Sequence, residues 1–407
     1  MDIFAVGSGP VAQSGQSGGL LIRRPRVQFP SGPPHQHRVL HRVEEVSRAL
    51  KNGNFTCLFD WTAISGKSLV EWLLEKENPS VRYFTLREIL DRAENDPEVE
   101  AARRAIPKSP VATKIFAKQS PEGNWEDADS PYLPKYKASY WQIMMLGQLG
   151  LDKNDQRVKR ACEHVFRFQS EEGGFSSCSR QQALHEHAQM TRRGKALPSP
   201  NAYADAKFRE HQYSCLTGNV ASALTQLGYG DDPRVRKAFT WLTHIQNSDG
   251  GWLCPYWRAH ARDRHGCFYG TICALEAFST VDKQNMSAEM RKTVARAAEF
   301  MLMHRLFKAD HHGYAVINNN WLMLSFPTFY GYNFLRGLDV LTQLGYTRDE
   351  RLTDAVEALM QKRLSSGRWV LENSPVGRMH ANLEVKGKPS KWITLIALRT
   401  LKRICNV

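Results

Sequence analysis

The sequence predicts an all-helical fold, an α/α toroid in which an outer ring of helices surrounds an inner ring. Three observations carry this prediction. A short turn motif recurs along the chain, a charged amphipathic stretch precedes it, and an almost wholly apolar stretch follows it. Alternating amphipathic and apolar helices are expected when each apolar helix is enclosed by amphipathic ones.

The recurring turn joins a Gln or Lys to an aromatic residue through a Gly-containing segment. Its copies run from Gln119 to Trp125, Gln169 to Phe175, Gln246 to Trp252, and Lys362 to Trp369. Leu-Gly pairs at 149–150, 227–228 and 344–345 precede the next amphipathic stretches, as expected where Gly ends one helix and Asp-Pro or a similar cap begins another.

The amphipathic stretches include NDQRVKRACEHVFRF, DDPRVRKAFTWLTHI, AEMRKTVARAAEFMLMHRL and RDERLTDAVEALM. The apolar stretches are YWQIMMLGQLG, CLTGNVASALTQLG, CFYGTICALEAF, FYGYNFLRGLDVLTQLG and KWITLIALRTL. Five such hairpins, with the helices before Asn95, are predicted to close the ring.

The Gln-x-x-x-Gly-x-Trp element resembles the QW repeat of squalene-hopene cyclases and protein prenyltransferase β subunits, over about residues 55–405. The resemblance implies a toroid of the terpenoid cyclase and protein prenyltransferase superfamily, with the Gln capping a neighbouring helix end and the Trp packing against it. Residues 367–403 also look like a bacterial and archaeal group labelled prenyltransferase or squalene-cyclase-like. Both imply an enzyme that binds a hydrophobic isoprenoid-type substrate in a central cavity, for cyclisation or prenyl transfer.

Residues 1–38 are predicted to lie outside the domain, which covers 39–407. Residues 9–34 show no apolar periodicity. When they are back-translated with permitted codons, the DNA can read as a transfer-RNA gene whose two acceptor-stem strands are complementary, so this segment is interpreted as a translated transfer-RNA gene. We therefore expect the authentic start near Val39, and the alternative is a basic disordered leader.

The net charge of +14 is compatible with nucleic acid, anionic lipid or a diphosphate-bearing substrate. Because Lys and Arg are scattered and no RNA-binding signature is present, we expect no nucleic-acid partner. No apolar stretch is long enough to span a membrane, so we expect a cytoplasmic protein, with peripheral membrane contact left open. The sequence does not predict the oligomeric state.

A duplicated cysteine pattern predicts a metal site. Cys178 and Cys254 each follow a recurring turn, and Cys215 and Cys267 each begin an apolar helix. Reduced cysteines clustered in this way could hold a tetrahedral zinc ion, with His211 and His265 close by. The alternative is that the four cysteines pack as small buried residues.

The sequence evidence for a catalytic acid is weaker than that for a metal site. Triterpene cyclases use an Asp-rich motif as the acid, and Asp127 and Asp129 are the nearest match, although the final Asp of that motif is absent. These two residues and His265 are the candidate catalytic residues. The alternative for Asp127 and Asp129 is helix capping or solvation.

Diphosphate binding would need cations at a helix N-terminus. The candidates before the last apolar helix are Arg378, His380, Lys386, Lys388 and Lys391, with Ser390 as the helix cap. Aromatic residues at inner positions, including Tyr269 and Tyr330, are predicted to line an apolar cavity that tolerates a cation. Residues 179–210 are predicted to be a long polar insertion that covers the cavity as a lid.

The sequence is also compatible with two other functions. One is a zinc-dependent, lanthionine-cyclase-like toroid acting on thiol or peptide substrates, and the other is a lipid-binding scaffold without catalysis.

Overall fold

The computed structural model describes residues 61–253 and 265–405, and the predicted leader and Cys254 lie outside them. The helices up to the second recurring turn are α1 (Trp61–Ile64), α2 (Lys67–Leu73), α3 (Pro79–Phe84), α4 (Pro97–Ala105), α5 (Pro110–Phe116), α6 (Ser139–Gln148) and α7 (Gln156–Phe166). Those that follow are α8 (Arg180–Arg192), α9 (Pro200–Glu210), α10 (Ser214–Leu224), α11 (Pro233–His244), α12 (Phe268–Ser279), α13 (Ala288–Met303), α14 (Phe334–Leu344), α15 (Thr353–Gln361) and α16 (Lys391–Cys405). The strands form two short antiparallel pairs: β1 (Lys308–Ala309) with β2 (Ala315–Val316), and β3 (Trp369–Val370) with β4 (Pro389–Ser390).

The inner ring consists of α3 and of five helices, α6, α10, α12, α14 and α16, that contact one another in that order. Helices α6, α10 and α12 are buried over almost their whole length, as their apolar sequences predict. The ring closes where α16 packs against α3 and its π-helical extension at Thr85–Ile89. Gly150 completes the closure, since a Cβ there would lie 3.1 Å from Cζ of Phe84. The prediction of an all-α toroid is therefore confirmed.

Outer helices pack against this ring and bury only one face. Helix α7 buries Val158, Cys162 and Val165, and α11 buries Val235, Phe239 and Leu242 on the same helical period. Each of these helices begins at an Asp whose carboxylate accepts a hydrogen bond from the second following amide, as Asp155 does from Arg157.

The recurring turns tie each outer helix to its neighbours through three repeated contacts. The indole Nε1 of Trp252 donates to the carbonyl of Leu242 at 2.9 Å, ten residues earlier, and Trp125 and Trp369 make the same bond. The amide of Trp252 donates to Oγ1 of Thr271 in the next inner helix. Finally, Gln246 Nε2 donates to the carbonyl of Thr293 in the first turns of the next outer helix. The Gln side chains thus contact the first turns of neighbouring helices, but they donate to carbonyls there rather than cap the free amides of the helix end.

Replacing Trp252 by Phe is expected to lower the free energy of unfolding by about 1–3 kcal/mol, because the buried carbonyl of Leu242 would lose its donor. Phe175 occupies the equivalent place in another turn, so a phenyl ring fits there and the indole hydrogen bond is the main loss. Urea-induced unfolding followed by circular dichroism measures the difference. A loss below about 0.3 kcal/mol would contradict this account of the turns.

The insertion at 179–210 is two helices packed against each other, α8 and α9, rather than a loop. Ser179 caps α8 in a capping box with Gln182, and Ser199 caps α9 ahead of Pro200, so local signals in the sequence specify both helices. The hairpin returns to the ring through a hydrogen bond from the amide of Ser177 to the carbonyl of His211, beside the N-terminal end of α10. Its role as a lid stays a prediction.

The connection from α13 to α14 follows the β1–β2 hairpin with a short 3-10 helix at Asn319–Leu322. Phe329 and Tyr330, near its end, pack on Trp141 with ring centroids 5.2 and 5.0 Å away. Trp141 lies in the first turn of α6, so this connection covers the N-terminal side of that inner helix. No helix within 61–253 or 265–405 has the length and apolar character needed to cross a membrane.

Candidate functional site

A cavity of about 370 Å³ lies among the inner helices. Residues from the C-terminal parts of α6 and α12 line it, together with Thr225 and Gln226 just after α10, Arg103 of α4, and residues of α3, α14, α16 and the connection before α14. The residues of α14 that line it run from its cap, Asn333, to Gln343, a rise of about 15 Å at 1.5 Å per residue. The cavity therefore extends along the inner helices toward their C-terminal ends.

Four aromatic residues line the cavity: Tyr83 and the three referred to below as the aromatic wall, Phe84, Phe326 and Trp392. Phe326 stacks on Trp392 with ring centroids 4.6 Å apart and an interplanar angle of 16°. Phe84 lies 6.1 Å from Trp392 at a tilted angle. These three side chains offer an apolar surface of the kind that binds hydrocarbon chains.

An ion pair between Arg336 and Glu276 also lines the cavity. The guanidinium of Arg336 donates to the carboxylate of Glu276, with Nε 2.9 Å from Oε2, and to Oδ1 of Asn219 at 3.2 Å. It also donates to the backbone carbonyls of Phe329 at 2.9 Å and Gly331 at 2.7 Å. Arg336 thus joins α12, α10 and the connection that precedes its own helix.

A second ionic cluster centres on Asp339, which is 8% exposed. Arg399 donates from Nε to its Oδ1 at 2.8 Å, and Arg403 donates from Nη1 to the same oxygen at 2.9 Å. Arg399 also contacts Glu88, with Nη1 3.1 Å from Oε2. Burial by itself would raise the pKa of Asp339, but the two arginines outweigh it and hold that pKa below its usual range. Asp339 is therefore ionised at neutral pH.

The aromatic residues that the sequence assigned to the cavity pack elsewhere. Tyr330 lies against Trp141 and Tyr132, with a buried hydroxyl for which the described residues supply no hydrogen-bond partner. Burial raises the pKa of Tyr330 well above its usual value. Tyr269 accepts a hydrogen bond from Nε1 of Trp321 at 3.2 Å. Both tyrosines lie near the N-terminal ends of inner helices and outside the cavity lining.

The candidate acids, Asp127 and Asp129, lie in an exposed turn after the first recurring motif. Asp127 Oδ1 accepts a hydrogen bond from the amide of Asp129 at 2.8 Å, and Asp129 lies 3.9 Å from Arg167. His265 approaches the carbonyl of its neighbour Gly266 through Nδ1 and packs beside His304 and Phe300. None of these three candidates lines the cavity.

Two of the predicted zinc ligands, Cys215 and Cys267, lie at the N-terminal ends of inner helices. Cys215 and Cys267 are buried at the start of α10 and α12, while Cys178 is half-buried, and burial raises the pKa of its thiol. Among the residues that the structure describes, no three His, Cys, Asp or Glu side chains converge in a way that could hold a metal ion. The described cysteines alone do not make the site, and Cys254 is outside the described ranges.

The zinc site stays a prediction with a direct measurement. If the four cysteines bind zinc, elemental analysis of the purified full-length protein should give about one zinc ion per chain, and Cys215→Ala should lose it. Cys162→Ala is the control, because that buried cysteine lies in the outer helix α7. Protein free of zinc, purified without chelators, would end the metal hypothesis.

The predicted diphosphate cations lie around the start of α16. Ser390 caps this helix through a bond from the amide of Ile393 to its Oγ, as predicted. The carboxylate of Glu384, however, also accepts from the amides of Lys391 at 2.6 Å and Trp392 at 3.2 Å. A protein carboxylate therefore already occupies the helix N-terminus proposed for diphosphate.

The five cations do not converge on that N-terminus. Lys391 pairs with Glu75 at 2.6 Å, and His380 lies 3.5 Å from Glu126 and 3.2 Å from the carbonyl of Lys137. Arg378, Lys386 and Lys388 are exposed. None of these residues lines the cavity.

The ion-paired residues of the cavity were missed by the sequence reasoning, although a signal for them exists. Glu276, Arg336, Asp339 and Arg399 are charged positions within inner stretches that otherwise read as apolar. A charge in a buried helix is seldom tolerated without a partner or a function, so each of these positions marks the interior site.

A family model matches part of this chain. Residues 143–305 match the family model of the squalene-hopene cyclase C-terminal domain, a stretch that runs from within α6 to just beyond α13. A search of curated protein sequences finds no significant match. The resemblance to the terpenoid cyclase-like superfamily, predicted from the recurring turns, is confirmed, and the chain has the all-α toroid fold of that superfamily.

Solved structures with similar folds have low sequence identity to this chain. A protein from Actinoplanes is 15% identical over 82% of this chain and 89% of its own, with a TM-score of 0.41. A variant of the type II terpene cyclase MstE from Scytonema, in complex with the product merosterolic acid A, is 14% identical over 90% of this chain and 99% of its own, with a TM-score of 0.40. Another MstE variant, in complex with the substrate geranylgeranyl dihydroxybenzoate, is 14% identical with the same coverage and a TM-score of 0.39.

Proposed function

We propose that the protein is a terpenoid cyclase-like or prenyltransferase-like enzyme that binds a hydrophobic isoprenoid-type substrate in the cavity among its inner helices. The observation that carries the proposal is the aromatic wall of Phe84, Phe326 and Trp392 inside that cavity. The family-model match over residues 143–305 supports the same class of substrate.

The cavity lining supports stabilisation of a cation better than its generation by protonation. Aromatic rings attract a positive charge through their quadrupole, and the three side chains of the aromatic wall line the cavity. Asp339 is ionised and held by Arg399 and Arg403, so it has no proton to donate. The substrate's own reactivity, or a group outside the described lining, would have to start the reaction.

Isoprenoid binding is tested by titrating the full-length protein with farnesol, geranylgeraniol and the corresponding diphosphates. We expect saturable binding of at least one of them, with Trp392→Leu weakening it by about tenfold or more through loss of apolar contact. Trp321→Leu is the matched control, because Trp321 is 5% exposed and Trp392 3% exposed, but only Trp392 lines the cavity.

Two results would contradict the proposal: no binding of any of the four compounds, or equal losses in Trp392→Leu and Trp321→Leu. Mass spectrometry of the incubated compounds then separates an enzyme from a lipid-binding scaffold, since only the enzyme converts the bound compound into a product of different mass or retention time.

A further inference from the structure

Three glutamines occupy the same position at the C-terminal ends of three inner helices. Gln148, Gln226 and Gln343 each come directly before a Leu-Gly pair that ends an inner helix, and all three line the cavity. Gln226 and Gln343 are exposed and Gln148 is half-buried, so they lie at the rim of the cavity. The repeat of the fold has therefore placed an arc of side-chain amides around one end of the site.

The contacts of these amides leave one oxygen atom, Oε1 of Gln148, without a hydrogen-bond partner among the described residues. Nε2 of Gln343 donates to the carbonyl of Ser279 at 2.9 Å, which fixes its nitrogen toward α12. Nε2 of Gln226 donates to Oγ of Ser222 at 3.4 Å. The buried Oε1 of Gln148 can only accept a hydrogen bond, so a ligand that reaches this part of the rim would have to donate one.

The charges of the lining do not favour an anion. The lining carries four carboxylates and three guanidinium groups, namely Glu88, Asp152, Glu276 and Asp339 against Arg103, Arg336 and Arg399. Each of these arginines is already paired, Arg103 with Asp152 at 2.8 Å and the other two as described above. Although the chain carries a net charge of +14, its cavity has no surplus of positive charge.

From these observations we infer that the rim of the cavity recognises an uncharged head group that donates hydrogen bonds, such as one or more hydroxyl groups, rather than a diphosphate. The inference rests on the proposed function, which supplies the apolar chain that contacts the aromatic wall. The head of the ligand lies at Gln148, Gln226 and Gln343, and its chain extends toward Phe326 and Trp392. A diphosphate at the same place would face the four carboxylates of the lining, and the three arginines of the lining are already paired.

The test compares alcohols and diphosphates with the same chain, using full-length protein. Farnesol and geranylgeraniol are each expected to bind at least about tenfold more tightly than the corresponding diphosphate, because like charges in one site repel. Gln226→Leu is expected to weaken binding of the alcohol by roughly two- to tenfold, the usual effect of losing one hydrogen bond, with little effect on the diphosphate. Gln226 is exposed, so this change leaves the core intact.

Gln181→Leu provides the matched control, since Gln181 is exposed on α8 and does not line the cavity. A diphosphate that binds as tightly as its alcohol, or tighter, overturns the inference while the proposed isoprenoid function stands. Equal weakening by Gln226→Leu and Gln181→Leu also overturns it. Failure of all four compounds to bind contradicts the proposed function itself, and the inference with it.

Discussion

Replacing Asp339 by Asn is expected to lower the free energy of unfolding by about 3–5 kcal/mol. The carboxylate is 8% exposed and receives hydrogen bonds from Arg399 and Arg403, so a neutral amide would remove the counter-charge that these two partly buried guanidinium groups share and would leave Arg399 with Glu88 alone. Breaking a buried pair on one side costs more than the pair contributes, because the remaining charge stays desolvated. Urea-induced unfolding at neutral pH measures the loss.

Asp231→Asn is the control for this substitution. The Asp231 side chain is 92% exposed and pairs with Arg236 at 3.3 Å, and exposed pairs contribute about 0–1 kcal/mol. If Asp339→Asn cost no more than Asp231→Asn, the ionic cluster would not be a stabilising element of the ring.

Because of the same ionic cluster, the free energy of unfolding is expected to decrease as the pH falls through the acidic range. The pKa of Asp339 lies below its ordinary value of 3.8, so the unfolded chain binds the proton more readily than the folded one. The stabilisation is present above about pH 4 and is lost as the pH falls through the folded-state pKa. The difference in unfolding free energy between the wild type and Asp339→Asn should therefore shrink as the pH is lowered below about 4.

Replacing Gly173 by Ala is expected to cost about 2–5 kcal/mol of stability. Gly173 has φ +111°, a conformation that L-residues adopt only with strain, and its Cβ would lie 2.2 Å from the carbonyl oxygen of Lys237. That oxygen belongs to the backbone of α11, so the helix itself would have to move. The turns at Gly123 and Gly250 show the same approach, with distances of 2.5 and 2.3 Å to Arg160 and Arg296.

Gly194→Ala separates the strain of a positive φ from the steric clash of a Cβ with the backbone of a neighbouring helix. Gly194 has φ +78°, but no atom lies within 4 Å of its Cβ position, so this variant carries the backbone strain alone, about 1–2 kcal/mol. Thermal and urea-induced unfolding of both variants should show the larger loss for Gly173→Ala. Similar losses would mean that the close approach of the turn to α11 contributes nothing.

Much of the fold could be predicted because its signals are local. The bond from Trp252 to Leu242 spans ten residues, and the apolar or amphipathic character of each helix can be read within a single stretch. Residues 179–210 show the limit of this reasoning, since their polar composition suggested a loop while the caps at Ser179 and Ser199 specify two helices.

The site could be predicted less well because its contacts join distant parts of the chain. The sequence placed the cavity at Tyr269 and Tyr330, and those residues instead pack near the N-terminal ends of inner helices. Tyr330 belongs to the long connection before α14, whose path depends on what it packs against rather than on any periodic pattern.

The sequence by itself determined the toroid fold, the positions of its recurring turns, and which helices form the inner and the outer ring, because apolar periodicity and capping act within a few residues. Only the tertiary structure decided where the cavity lies and which residues line it. Glu276 meets Arg336, and Asp339 meets Arg399, across 60 residues in both cases. A charge in an apolar helix shows that a partner is needed, but the partner is chosen by the packing of helices around the ring, which determines the groups that share the low-dielectric interior.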